Sequence, residues 1–311
     1  MKELFSSIVA ADAIRENEPM SAHTTFEIGG PCDCMVFPAS IDELAQVVAV
    51  CRREQIDFFV LGKGSNILVS DRGIRGVVIV TERIQQLEIH GSLVNVTTGY
   101  SLINVSKATA ELGLSGLEFA SGIPGSIGGA VYMNAGAYDG EMKNVIESVT
   151  VLDAEGTIRD IPAEEMALSY RHSRLKDEPM VCLSVRLRLH YGDKKDILAK
   201  IADLTERRSS RQPLELPSSG STFKRPTGYY AGPLIIEAGL QGYQIGGAQV
   251  STKHAGFVVN VDHATADDVI RLIHHVQKTV KEHAGVNMET EVRFIGDWED
   301  HPLYHEILCA E

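Results

Sequence analysis

At 311 residues the chain exceeds what one small core organises, and two or three domains are expected. Its formal net charge of −13 excludes general binding to nucleic acid or to anionic membrane, both of which need a basic surface. No apolar run approaches the ~18 residues that span a bilayer, and Met1-Lys-Glu-Leu-Phe5 has no signal-peptide core, so a cytoplasmic protein is expected.

In chain order, Ser40 to Gln55 predicts a helix. Ser40 can cap it, Glu43 can reach back, and Ile41, Leu44, Val47, Val48 and Cys51 share one face. Strands are predicted at Phe58–Leu61 and Val77–Val80, which makes a small α/β unit ending near residue 85. A helix over about 101–112 is followed by a strand-rich stretch. Strands 149–152 and 157–161 flank the turn Asp153-Ala-Glu-Gly156, and apolar residues alternate from Val181 to Leu189 in the manner of a half-buried strand. Residues 193–211 read as a charged helix with Ile197, Leu198, Ile201 and Leu204 inward, ending before Pro213. A clear helix covers 266–283, with Thr265 as cap and Gly285 as terminator, and a strand over 289–295 closes the pattern. Cys32, Cys34, Cys51, Cys182 and Cys309 are odd in number and lack paired spacing, so reduced structural thiols are expected rather than a zinc site.

The most informative stretch is Ser121-Gly-Ile-Pro-Gly-Ser-Ile-Gly-Gly-Ala-Val-Tyr-Met-Asn-Ala-Gly-Ala-Tyr138, in which five of eighteen residues are glycine. So many small residues suit a backbone that something approaches closely, and clustered N–H groups bind phosphate. A second segment of this kind, Gly62-Lys-Gly-Ser-Asn66, follows the strand at 58–61. It is neither a dinucleotide fingerprint, since Ile67 stands at the third glycine, nor a P-loop. Two phosphate-friendly loops suggest a large ligand carrying two phosphates.

Other residues are ambiguous when read alone. Arg171 could grip a carboxylate with two bonds or be solvated beside Arg174 and Lys176. Ser221 is one of several hydroxyls in Ser218-Ser-Gly-Ser-Thr-Phe-Lys-Arg-Pro226, with Ser219 beside it, and is not a nucleophile elbow. Glu289 and Glu291 fall on one face of the expected strand, and the pattern does not choose between them. His254 opens a polar-to-apolar segment, Lys253-His-Ala-Gly-Phe-Val-Val-Asn260, and is a candidate ligand.

Six ordered motifs carry a resemblance: Thr24-Thr-Phe-Glu-Ile-Gly-Gly30, Gly62-Lys-Gly-Ser-Asn-Ile-Leu68, Ser121 to Ala130, Tyr170-Arg-His-Ser173, Gly220-Ser-Thr-Phe-Lys-Arg-Pro226 and Glu291-Val-Arg-Phe-Ile-Gly296. From about Ser21 to about Gly296 the chain resembles the UDP-N-acetylenolpyruvoylglucosamine reductases, flavoenzymes that make UDP-N-acetylmuramate for peptidoglycan. Arg171 and Ser221 are 50 positions apart, which resembles the subgroup without a tyrosine-bearing lid.

The resemblance implies an α+β fold: a two-domain FAD-binding unit of the PCMH type (about 1–85 and 86–195), a third α+β domain for the UDP-sugar (205–296) and a tail (297–311). It implies FAD held without a covalent bond between the first two domains, NADPH as hydride donor, and UDP-N-acetyl-3-O-(1-carboxyvinyl)-glucosamine as substrate. A monomer or weak oligomer is expected. FAD would be held by Gly62, Lys63, Gly64, Ser65, Asn66, Gly122, Gly125, Ser126, Gly129, Ala130, Asn134 and Gly136. Arg171, Ser221 and Glu291 would form the reaction centre. Lys224 and Arg225 would meet the UDP diphosphate, with Tyr229, Gln249, His254 and Asn260 toward the sugar and uridine. The rival readings are an oxygen-using carbohydrate oxidase on the same fold and a UDP-sugar binder without catalysis.

Overall fold

The computed structural model describes residues 1–308, so Cys309 lies outside the described residues. Two compact units emerge. The first comprises residues 1–16, 34–63 and 77–208, and the second 17–33, 64–76 and 209–311. The two expected FAD-binding subdomains thus share one unit, without the segments 17–33 and 64–76.

In the first unit, helix α1 (Ile41–Arg53) buries Leu44, Val47, Val48, Val50 and Cys51, the stripe that its periodicity predicts. Ser40 Oγ accepts from Glu43 N–H, but the Glu43 carboxylate reaches the N–H of Ala39, one residue beyond the expected cap. Strand Phe58–Leu61 pairs in parallel with residues 77–80. A five-stranded antiparallel sheet follows, in the spatial order Leu87–His90, Leu93–Thr97, Val181–Arg188, Ile146–Leu152 and Ile158–Pro162. Its central strand alternates buried Leu183, Val185 and Leu187 with more exposed Ser184, Arg186 and Arg188. Helices α2 (Leu102–Glu111) and α3 (Ile127–Tyr132) bury Leu102, Val105, Ile127 and Val131 in the same core as that sheet. Helix α4 (Lys194–Arg211) buries Ile197 and Leu204.

The described cysteines, Cys32, Cys34, Cys51 and Cys182, are all buried. Burial pushes the Cys51 thiol up to about 11 and that of Cys182 to about 12, so both stay protonated and unreactive.

The second unit holds α5 (Ala231–Glu237), α6 (Ala266–Ala284) and α7 (Tyr304–Leu308). A small antiparallel sheet runs in the order Gln244–Ile245, Ala248–Val250, Val258–Asn260. A separate parallel pair joins Ile67–Val69 to Arg293–Ile295. The strand expected over 289–295 is therefore shorter: residue 290 makes one isolated bridge to Phe223, and regular pairing starts at Arg293. Glu289 and Glu291 accordingly lie outside the strand.

Helix α6 is the best-specified element. Thr265 Oγ1 accepts from Asp268 N–H, and the Asp268 carboxylate accepts from Thr265 N–H, a reciprocal capping box. The next two orphan donors, Ala266 N–H and Asp267 N–H, are taken by the two oxygens of Asp71. Gly285 ends the helix in the left-handed region at φ 68°. The segment expected as a tail folds onto this helix. Ile307 is buried, Trp298 stacks on Tyr304, and Gln277 donates to the carbonyls of Met288 and Ile307. No helix among the described residues is long and apolar enough to cross a membrane.

Thr265→Ala is expected to destabilise the chain by about 1 kcal/mol, the usual cost of a lost N-cap. Asp71→Ala is expected to cost more, because two N–H groups lose their acceptors. Urea midpoints, together with faster hydrogen exchange at the amides of residues 266–268, check both.

Candidate active site

In the second unit the segment 221–224 runs beside 289–291. Thr222 N–H donates to Gly256 C=O, Thr222 Oγ1 accepts from Val258 N–H, and Lys224 N–H donates to Glu289 C=O. Glu291 N–H donates to Thr222 C=O at 2.8 Å, while Glu291 C=O accepts from Asn66 Nδ2 at 3.2 Å. The Glu291 backbone is thus fixed on both sides, one position away from Ser221. Ser221 is half-buried behind Gly220, and Ser219 is buried with no partner for its hydroxyl. Ser221 and Glu291 are brought together. Arg171 stands in the first unit, at the tip of a tight turn closed by reciprocal Ser169–His172 backbone bonds. Its φ of 54° is left-handed, a conformation that costs of order 1–3 kcal/mol for a side-chain-bearing residue and clusters at functional sites. Its guanidinium lies over the Tyr170 ring and reaches Gly136 C=O at 3.4 Å.

The Gly-rich stretch of the first unit uses most of its N–H groups internally. Ile123 N–H donates to Ala120, Gly125 to Ile123, Ile127 to Tyr100, Gly128 to Thr98 and Ala130 to Ser126 carbonyls, while Gly129 N–H donates to Ser126 Oγ, the cap of α3. Among the described residues, the N–H groups of Gly122 and Ser126 make no hydrogen bond within the protein. The loop thus carries fewer bare donors than expected, Gly122 and Ser126 among them. Glycine here serves close packing as well. A Cβ on Gly62 would fall 2.1 Å from Ser126 Oγ, so the first loop abuts the second only because position 62 is bare. A Cβ on Gly122 would fall 2.7 Å from Arg208 Cδ, where α4 lays its guanidinium along the loop.

Several expected ligands have structural employment. Asn134 is buried, donates to Glu141 and Ser169 C=O and accepts from Lys143 N–H. Asn260 is buried, donates to Phe26 C=O and accepts from Ala264 N–H. Asn66 is spent on Glu291. His254 Nδ1 accepts from Gly256 N–H, and burial lowers its pKa, so the ring is neutral near pH 7 with its proton on Nε2. Gln249 bonds Gln244. Lys224 pairs with Glu289 at 2.8 Å, and Arg225 lies over the Tyr230 ring at 4.0 Å with Nε toward Tyr229 C=O. Lys63, Gly129 and Tyr229 are exposed, Ser65, Gly125 and Gly136 half-buried, and Gly64 and Ala130 buried. Sequence reasoning missed Arg208; its place four residues after buried Leu204, on the inward stripe of α4, was the available signal.

Residues 32–162 match an FAD-binding domain, and residues 212–295 match the C-terminal domain of UDP-N-acetylenolpyruvoylglucosamine reductase. The enzymes of that name from Limosilactobacillus fermentum and Limosilactobacillus reuteri are 50% and 51% identical over 283 residues, 91% of this chain and 94% and 95% of theirs. The crystal structure of the Thermus caldophilus enzyme covers 91% of this chain and 98% of its own at a TM-score of 0.78, with 34% identity. With about half of its residues identical over nine-tenths of its length, this chain belongs to the UDP-N-acetylenolpyruvoylglucosamine reductase family.

Proposed function

We propose that this chain reduces the enolpyruvyl ether of UDP-N-acetylglucosamine to UDP-N-acetylmuramate for peptidoglycan synthesis, with FAD as cofactor and NADPH as reductant. The observation that carries the site assignment is the backbone bond from Glu291 N–H to Thr222 C=O, which sets Glu291 beside the residue that follows Ser221. The chemistry that bound FAD would supply is delivery of a hydride, taken from NADPH, to the methylene carbon of the enolpyruvyl group. Negative charge then develops on the neighbouring carbon and its carboxylate. Ser221 protonates that carbon; a hydroxyl is a weak acid, but a carbanion-like acceptor is a strong base. Glu291 and Arg171 bind and polarise the carboxylate as it becomes enediolate-like, with Glu291 either carrying a proton or having its charge offset by Arg171. Arg171 presents a permanent charge for this from its strained turn. Lys224 and Arg225 offer the cations for the UDP diphosphate, Lys224 by exchanging Glu289 for phosphate. The free Gly122 and Ser126 N–H groups, with Arg208 beside them, suit the FAD diphosphate. A soluble nucleotide-sugar substrate places the enzyme in the cytoplasm.

Purified protein is expected to show flavin absorbance that NADPH bleaches and enolpyruvyl substrate restores; an oxidase would bleach with sugar instead, and a pure binder with neither. Ser221→Ala is expected to leave reduction by NADPH intact and to slow reoxidation by substrate ~10²-fold or more, the scale of one lost acid catalyst. The same defect in Ser219→Ala alone would move the proton donor two residues upstream.

Glu291→Ala is expected to slow reoxidation about 10²-fold, with Glu291→Gln milder because it still donates a hydrogen bond. Glu289→Ala, which removes only an exposed partner of Lys224, is expected to stay within about twofold. Stopped-flow half-reactions read all three, and equal losses at 289 and 291 would mean that the segment's stability is being measured rather than its chemistry.

A further inference from the structure

Arg208 lies in α4 between the two matched domains, inside neither. It is a half-buried cation without company. Its Nε is enclosed and has no hydrogen-bond partner, and among the described residues its guanidinium forms no ion pair. Burial depresses its pKa, and the opposing influence comes from the Tyr138 phenol at the far end of the Gly-rich stretch, a group that is uncharged near pH 7. A guanidinium nonetheless keeps its proton. Such groups are normally paired, because desolvating a charge without a counter-charge is unfavourable. The neighbouring groups do not supply one. The side chain runs along Gly122, whose own N–H makes no hydrogen bond within the protein. The two groups set beside it, the Gly122 N–H and the Tyr138 phenol, bring no counter-charge, so the partner that would complete the site is an anionic acceptor.

We infer that Arg208 holds a phosphate of the FAD diphosphate against the Gly122–Ser126 segment, an inference that rests on the proposed flavoenzyme reading. A planar guanidinium can give two parallel N–H bonds to phosphate oxygens, and the bare Gly122 lets a diphosphate approach where any Cβ would collide with the Arg208 stem. The loop lies within the span that matches an FAD-binding domain. The arrangement also explains why a cation is tolerated there: it is uncompensated only until the cofactor arrives.

The consequence is a sign reversal that no purely structural role would produce. Apo Arg208→Gln, rid of a desolvated charge, is expected to melt at the wild-type temperature or above it. Holo Arg208→Gln is expected to melt below wild type. Titration of apo protein with FAD, followed by flavin fluorescence, should give a dissociation constant ~10–100-fold weaker, the range for a lost charged hydrogen bond. Riboflavin, which has no phosphate, should bind both proteins alike, and the 31P resonances of bound FAD should shift in the variant. The KM for the UDP-sugar at saturating FAD should not change. An FAD affinity within twofold of wild type, or a loss confined to UDP-sugar or NADPH binding, overturns the inference. A variant destabilised equally in apo and holo forms overturns it too, since that marks packing alone. If the wild-type chain takes up no FAD, the flavoenzyme reading falls first and this inference with it.

Discussion

The backbone of Glu291 is gripped from two directions, its N–H by Thr222 C=O and its C=O by Asn66 Nδ2, and the chemistry proposed for the second unit depends on that grip. Three segments far apart in sequence, around residues 66, 222 and 291, meet there. Each is secured in turn: Asn66 C=O accepts from Arg293 N–H, which starts the parallel pair with Ile67–Val69, and Thr222 is tied through its hydroxyl to Val258. A catalytic carboxyl must be held to a fraction of an ångström. In a regular strand that precision comes from the ladder. Here regular pairing begins only at Arg293, so one side-chain amide and one carbonyl do the work of the ladder.

The glycines of the first unit answer a different demand. Position 62 is bare so that Ser126 can lie against it, and position 122 is bare so that Arg208 can. Most N–H groups of the long stretch are already committed to the fold, which leaves its unspent donors, Gly122 and Ser126 among them, few but fixed. Preorganised donors lose little entropy when a ligand arrives, which is worth more than a larger number of loose ones.

Patterns that depend on local sequence were legible. The stripe and both caps of α6 stand within a few residues of each other, and so does the alternation over 181–188. What escaped was whatever depends on partners distant in sequence. Nothing in Asp71 announces that it closes the start of α6, almost two hundred residues later. Nothing in Asn66 marks it as the support for Glu291 rather than a phosphate ligand. The strand over 289–295 was overread because alternation continues through residues whose backbone bonds are diverted to the 222–224 segment. Likewise the family motif, not the strand pattern, singled out Glu291, since Glu289 shares its charge and spacing and differs only in facing Lys224.

Electrostatics ties the two units' roles to one physical argument. A chain of net charge −13 repels dinucleotides and nucleotide sugars at long range, yet its proposed ligands are all anions. At physiological ionic strength that repulsion is screened beyond roughly 8 Å, so what decides binding is the charge inside a screening length of the phosphate. The chain keeps its cations there in two states. Lys224, exposed and already paired with Glu289, must trade one anion for another and gains little in water. Arg208, partly desolvated and unpaired, has no partner to give up, and the lower local dielectric strengthens whatever bond it forms. A resident cofactor calls for the second kind of cation and a substrate that must leave calls for the first, which is the division proposed between the Gly-rich loop and the Ser221–Arg225 segment.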